Sequence, residues 1–371
     1  MEFSFWEQET WFTNVDYTVV GSGIVGLTCA LRLRERFPKA KILVLERGIL
    51  PNGASTKNAG FACFGSISEI LDDLKSHSED EVVALVKKRI EGLTKLRALL
   101  TDKSIDYQEN GGYELFLKKD NGLYKRCVEA IPTVNTLLFP IFKKEVYSLK
   151  SNDLQCEGIY DQVIFNNCEG QIDTGRMMQS LLQLAQSKGI LILNNTNVIS
   201  YAENASEVTV VTSSVQFKTK KLLIATNGFA KKLGLTQVKP ARAQVLITNK
   251  IPDLHLKGTF HLDRGYYYFR NINGRILLGG GRNLDFKGEE TTVIAQTEVI
   301  QQELERLLKE VILPHTKFEI AHRWSGIMGV GSQKQPLLKK LSDHTYCGVR
   351  LGGMGVAIGA TVGEDLANLI A

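Results

Sequence analysis

Tyr17-Thr18-Val19-Val20-Gly21-Ser22-Gly23-Ile24-Val25-Gly26, answered twenty residues later by Glu46, is the stretch that decides the fold of this chain. It reads as strand, glycine turn, helix, strand and acid, a complete dinucleotide-binding βαβ unit. Gly21 permits the tight turn out of the strand. Gly23 lets the backbone approach a pyrophosphate, and Gly26 lets the helix pack close to the sheet. Ser22, Ile24 and Val25 complete the same phosphate-facing turn. The helix is expected from about Val25 to Phe37, with its positive N-terminus aimed at the phosphates. Lys41-Ile42-Leu43-Val44-Leu45 is a second buried strand. At its end stand Glu46 and Arg47, where a carboxylate can accept from both ribose hydroxyls. An acid there points to FAD or NAD rather than NADP.

Working outward, the composition is that of an ordinary globular enzyme. The 371 residues are 43% hydrophobic and 23% charged, which suits two domains. The net charge of +5 is spread along the chain with no basic arm, so no nucleic-acid partner is expected. No segment is apolar over the ~18 residues that a membrane span needs. The acidic, aromatic start Glu2-Phe3-Ser4-Phe5-Trp6-Glu7 is not read as a signal peptide, and Trp6, Trp11 and Phe12 are expected to cover the outside of the sheet. Six scattered cysteines without a Cys-x-x-Cys pair suggest a reduced, cytoplasmic protein. The six histidines show no metal-ligand spacing, and no metal is expected.

Further blocks narrow the choice of dinucleotide. Asn52-Gly53-Ala54-Ser55-Thr56-Lys57-Asn58-Ala59-Gly60-Phe61 is a small, polar loop rich in N–H groups for a second phosphate or a flavin edge. Gly170 to Met178 opens a helix that runs to about Lys188. Strands are expected at Ile190–Leu193, Val198–Tyr201, Val208–Thr212 and Val215–Lys218. Lys221–Ala225 is another buried strand, and it ends in the small turn Thr226-Asn227-Gly228. Val349-Arg350-Leu351-Gly352-Gly353-Met354-Gly355-Val356 leads into a last helix that reaches Leu369.

In this order the blocks resemble the D-amino-acid-oxidase-like (DAO) family of FAD-dependent oxidoreductases, which includes glycine oxidase, sarcosine oxidase and gamma-glutamylputrescine oxidase. The Ala54–Phe61 loop is similar to that of the amine-oxidising branch. Trp324-Ser325-Gly326-Ile327-Met328-Gly329 and the Gly352–Val356 turn are familiar as well. The resemblance implies a Rossmann-like α/β FAD/NAD(P)-binding domain joined to an α+β substrate domain built on an antiparallel sheet. The expected bounds are 1–105, 166–240 and 321–371 for the first, and 106–165 and 241–320 for the second. It also implies noncovalent FAD. Glu46 would hold the ribose, Val198 the adenine region, and Ser55, Thr56, Lys57, Asn58, Ala59 and Gly60 the pyrophosphate and flavin. Thr226, Asn227 and Gly228 would join them. Gly352, Gly353, Met354, Gly355 and Val356 would meet the pyrimidine side of the flavin. A helix starting at Met354 would set unpaired N–H groups against negative charge at flavin N1, and Arg350 would add to this.

The substrate strands are expected at Gly112–Leu117, Arg242–Thr248, Tyr266–Arg270 and Arg275–Gly279, with a tight hairpin at Asn271–Gly274. Tyr266, Tyr268 and Arg270 share one face by period two. Tyr266, Arg270 and Trp324 are the expected catalytic residues, whereas His261 is expected to be a surface or packed histidine. The arginine that glycine-oxidase-like members use for the substrate carboxylate has its counterpart at Met328. Either Arg242, Arg270 or Arg350 replaces it, or the substrate is an amine without a carboxylate there. The reaction implied is oxidation of a C–N bond by hydride transfer, with oxygen or another electron acceptor taking the electrons. A 2-hydroxy-acid dehydrogenase, a tRNA-modifying flavin oxidoreductase and a non-catalytic flavin-binding protein are the alternatives.

Overall fold

The computed structural model describes residues 2–370; Met1 and Ala371, the outer limits of the expected cofactor domain, lie outside the described residues. The chain forms two eight-stranded sheets with separate apolar cores.

The first sheet has a parallel centre in the order Thr345–Val349, Gln216–Ile224, Val15–Val20, Ile42–Leu45, Leu191–Leu193. All of Ile42–Leu45 is buried, as a parallel strand covered on both faces must be. The helix Ile24–Arg36 follows the glycine turn, close to the predicted span. The expected strands Val215–Lys218 and Lys221–Ala225 are a single strand, Gln216–Ile224. Its front half alternates buried and exposed residues and pairs antiparallel with Val208–Val211. Its back half is buried and runs parallel to Val15–Val20 and Thr345–Cys347. No glycine or proline interrupts it, so nothing breaks the extended backbone between the two halves.

The last helix, Gly355–Asn368, lies against both Ile24–Arg36 and the long helix Glu79–Leu100. Its glycines are contact points. A Cβ on Gly363 would lie 1.9 Å from Thr28 Oγ1, and one on Gly359 would lie 2.8 Å from Ile24 Cγ2. Close helix packing therefore accounts for these two residues. Phe12 packs on Phe217, but Trp6 is 75% exposed and does not cover the sheet.

The second sheet runs Ile320–Val330, Lys239–Thr248, Arg275–Gly280, Tyr267–Ile272, Thr259–Leu262, Gly112–Leu115, Gln162–Asn166, Tyr147–Ser151. Two expectations change here. The sheet is mixed, not purely antiparallel, because Thr259–Leu262 runs parallel to Gly112–Leu115. The expected boundary at 321 also moves. Ile320–Val330 pairs along its length with Lys239–Thr248 and so belongs to this sheet. The hairpin turn is Asn273-Gly274, with φ of +49° and +70°, the geometry that makes asparagine-glycine favoured in two-residue turns.

Candidate active site

The glycine turn forms one end of a cavity of about 550 Å³, in the range of small-molecule sites. Gly21 adopts φ +107°, and a Cβ on Gly26 would lie 1.8 Å from the Gly21 carbonyl oxygen, so neither position accepts a larger residue. The Ile24 N–H donates to Ser55 Oγ at 3.0 Å, which ties the helix N-terminus to the downstream polar loop. Glu46 is 5% exposed and still borders the cavity. Its Oε2 accepts from the N–H and hydroxyl of Ser22, at 3.2 and 2.9 Å, and its Oε1 accepts from Gly48 N–H at 2.9 Å. The carboxylate is thus aimed before any ligand arrives. Arg47 lies 3.5 Å above the Phe229 ring at the same end.

Gly21, Gly23, Ile24, Val25, Glu46, Arg47, Ser55, Lys57, Asn58, Ala59, Gly60, Val198, Thr226, Asn227, Arg350, Gly352, Gly353, Met354, Gly355 and Val356 all line this one cavity. They come from six separate parts of the chain, brought together where the strands of the parallel sheet end. A Cβ added to Gly53, Gly352 or Gly353 would meet nothing within 4 Å. These positions leave space along the cavity that side chains would otherwise occupy, and an extended dinucleotide fits such a cradle.

Four expected cofactor residues do not line it. Ser22 is fully buried and holds Glu46. Gly26 is taken up by its contact with Gly21. Thr56 turns its hydroxyl to the Pro51 carbonyl, at 2.8 Å. Gly228 is packed under Met328, whose carbonyl would lie 2.5 Å from an added Cβ. Their part is to shape the wall.

The opposite wall comes from the second sheet. Tyr266, Tyr268, His261, Arg264, Arg282 and Met328 line it. Tyr267 and Phe269 point into the other core, so the strand alternates as the sequence pattern predicted. Burial pushes the Tyr268 hydroxyl up to about 12, so it remains a neutral donor at physiological pH.

Two expected catalytic residues are placed elsewhere. Arg270 is buried, and its Nη1 donates to the carbonyls of Gly60 and Ile172, at 3.0 and 2.8 Å; it braces the end of the polar loop from behind. Trp324 donates its indole N–H to the Lys57 carbonyl at 3.0 Å and packs beside Ala59 and Val245. Neither lines the cavity. Of the arginines offered as a substitute at Met328, Arg242 is bound to Glu289 through two bonds of 2.8 and 2.6 Å. Arg350 lines the cavity with its Nε bonded to the Gln335 carbonyl.

His261 and Arg282 were not singled out as site residues. His261 is 5% exposed and bonded to the buried Glu169 at 2.6 Å. Burial alone would lower its pKa; the adjacent Glu169 carboxylate outweighs this and raises it to about 9. The cue was available in the alternation of Thr259–Leu262, a strand that the sequence reading did not recognise. Arg282 follows Gly280-Gly281, whose φ values of +126° and +77° turn the chain back over the cavity. Among the described residues, no group of three His, Cys, Asp or Glu is placed to hold a metal ion, and no helix is long and apolar enough to cross a membrane.

The chain is 20% identical to a probable oxidoreductase OrdL of Haemophilus influenzae, over 97% of this chain and 84% of that protein. It is 22% identical to the probable oxidoreductase OrdL of Rhizobium meliloti, over 96% and 83%. Its fold is similar to that of L-proline dehydrogenase from P. horikoshii, with a TM-score of 0.75, 18% identity and coverage of 96% of this chain and 93% of that one. Glycine oxidase from Geobacillus kaustophilus matches equally, with a TM-score of 0.75, 18% identity and coverage of 96% and 94%. Residues 16–369 match the family DAO, FAD dependent oxidoreductase, and the chain belongs to that family.

Proposed function

We propose that this protein oxidises the C–N bond of a small amine or amino acid, with FAD held noncovalently in the cavity. The observation that carries the reading is a single cavity with two chemically different walls. One is a glycine-rich dinucleotide cradle, and the other presents Tyr266, Tyr268, His261 and Arg282 from the second sheet. The Gly21–Val25 turn, Glu46 and the Gly352–Val356 turn would hold FAD, which would supply a hydride acceptor for the carbon next to nitrogen; water added to the resulting C=N bond would release a carbonyl compound and an amine or ammonia.

The chain's own residues do the rest. Tyr268, Phe61 and Met328 exclude water from the reacting carbon. His261 is held protonated by Glu169 and so is not the base that deprotonates the substrate ammonium. Transfer of that ammonium into the apolar part of the cavity lowers its pKa instead. Cys63 borders the cavity, but burial raises its thiol pKa well above the ordinary value, so it is a poor nucleophile toward a flavin. This supports noncovalent binding. Oxygen or another electron acceptor then takes the electrons, and the six thiols, none in a disulfide, suit the cytoplasm.

The purified protein should be yellow, and it should bleach during anaerobic titration with an amine or amino acid. Bleaching by 2-hydroxy acids alone would move the assignment to a hydroxy-acid dehydrogenase. A colourless protein that takes up no added FAD would overturn the reading.

A further inference from the structure

The segment Gly331–Gln335 follows the strand Ile320–Val330, and each of its residues is exposed. Gly331, Gln333 and Lys334 nevertheless line the cavity. Among the described residues, one hydrogen bond reaches the backbone of this segment: Arg350 Nε donates to the Gln335 carbonyl at 3.1 Å. The other end also rests on Arg350, since a Cβ on Gly331 would lie 2.6 Å from Arg350 Cδ. A stretch with so few bonds belongs to the least stable part of a fold.

What holds its tip is an ion pair. Lys334 Nζ is paired with Asp73 Oδ1, at the end of the helix Ile67–Asp73. Asp73 is 4% exposed, and among the described residues no hydrogen bond from elsewhere in the chain supports its Oδ1. Its neighbour Asp72 is paired with Lys75 at 2.8 Å. A buried carboxylate is costly without a cation, so Asp73 draws Lys334 in. The lysine is half-exposed and gives up little when it swings back to water.

The position of the pair matters. Asp73, Arg264 and Lys334 line the cavity from three separate elements, and Arg264 and Lys334 also meet solvent. Residues that face both a cavity and solvent form its rim. The Lys334–Asp73 pair therefore ties one part of the rim to another.

We propose that Gly331–Gln335 is a strap over the cavity mouth, latched by Lys334 and Asp73, and that small molecules enter and leave when the latch opens. Closed, the strap keeps bulk water from the reacting groups. This rests on the reading of the cavity as the FAD site.

The FAD-loaded protein tests it in two ways. Trypsin cuts after Lys334 only when the strap is free, and cleavage of a transiently opened segment follows the population of its open form. Asp73→Asn should therefore speed cleavage at Lys334, read by mass spectrometry, by about threefold to tenfold, the worth of one ion pair. Cuts confined to Lys334 separate unlatching from unfolding, which would expose sites throughout the chain. Acrylamide, a small neutral quencher, should then quench flavin fluorescence more strongly in Asp73→Asn and in Lys334→Met than in wild type. Equal cleavage of wild type and Asp73→Asn would overturn the latch. Faster cleavage with unchanged quenching in both variants would overturn the gate. A wild-type protein that takes up no FAD would instead fail the functional reading, and the trypsin comparison would still decide the latch.

Discussion

The indole N–H of Trp324 donates to the Lys57 carbonyl at 3.0 Å, so the second sheet is fastened directly to the loop after Glu46. Trp324→Phe keeps an aromatic ring and deletes the donor. It should cost about 1 kcal/mol of stability, the usual contribution of one hydrogen bond, and lower the melting temperature without changing KM. A raised KM at unchanged melting temperature would return Trp324 to the substrate pocket.

Two glycines near the C-terminus should respond oppositely to alanine. Gly363→Ala puts a Cβ 1.9 Å from Thr28 Oγ1 and 2.5 Å from the Val25 carbonyl. Forcing the helices apart should cost about 1–3 kcal/mol. Gly353→Ala meets nothing within 4 Å and has no positive φ. Its apo stability should equal wild type while its affinity for FAD falls. Thermal melts with and without FAD test both expectations, and a stable Gly363→Ala protein would contradict the packing seen here.

Glu46 accepts from Ser22 and Gly48 and lines the cavity, where it is expected to hold the ribose. Glu46→Gln replaces an acceptor with a donor among N–H groups. The FAD dissociation constant, read by quenching of flavin fluorescence, should rise about tenfold or more. An unchanged constant would mean that the ribose is held elsewhere.

Stability should fall as pH rises, through two buried groups. His261 has its pKa raised from 6.5 to about 9, where the Glu169 carboxylate outweighs burial. Its contribution is complete below the unfolded value and is lost as pH climbs through about 9. Burial likewise raises Glu114 from 4.5 to about 7, against bonds from Ser68, and its contribution is lost as pH climbs through about 7. The charged groups facing His261 are Glu169, Glu69 and Glu114. His261→Gln should flatten the melting curve against pH between about 6.5 and 9, and Glu114→Gln should flatten it between about 4.5 and 7. A decline in His261→Gln as steep as that of wild type across the upper window would exclude the imidazole as its source.

The cofactor half of the molecule was legible because its constraints are local. Gly21, Gly23 and Glu46 sit in one βαβ unit, where spacing alone implies geometry. The strand Tyr267–Ile272 was legible for the same reason, since its period of two shows which tyrosines share a face. The substrate wall was harder to read because its contacts are long-range. Nothing near Arg270 in sequence indicates that its guanidinium will reach back to Gly60 and Ile172. Nothing near His261 points to Glu169, ninety-two positions away. Arg282 was overlooked because the turn at Gly280-Gly281 that brings it to the cavity has no counterpart in the strand pattern.

The parallel sheet also carries a consequence for biosynthesis. Thr345–Val349 completes its parallel run beside Gln216–Ile224, and Gly352–Val356 supplies one side of the cradle. Both lie more than three hundred positions after Gly21, which opens the glycine turn they complete. A nascent chain therefore exposes its glycine turn long before the site around it is finished. Cofactor capture must wait until residues 345–368 have left the ribosome, and a chain stopped short of them would emerge colourless.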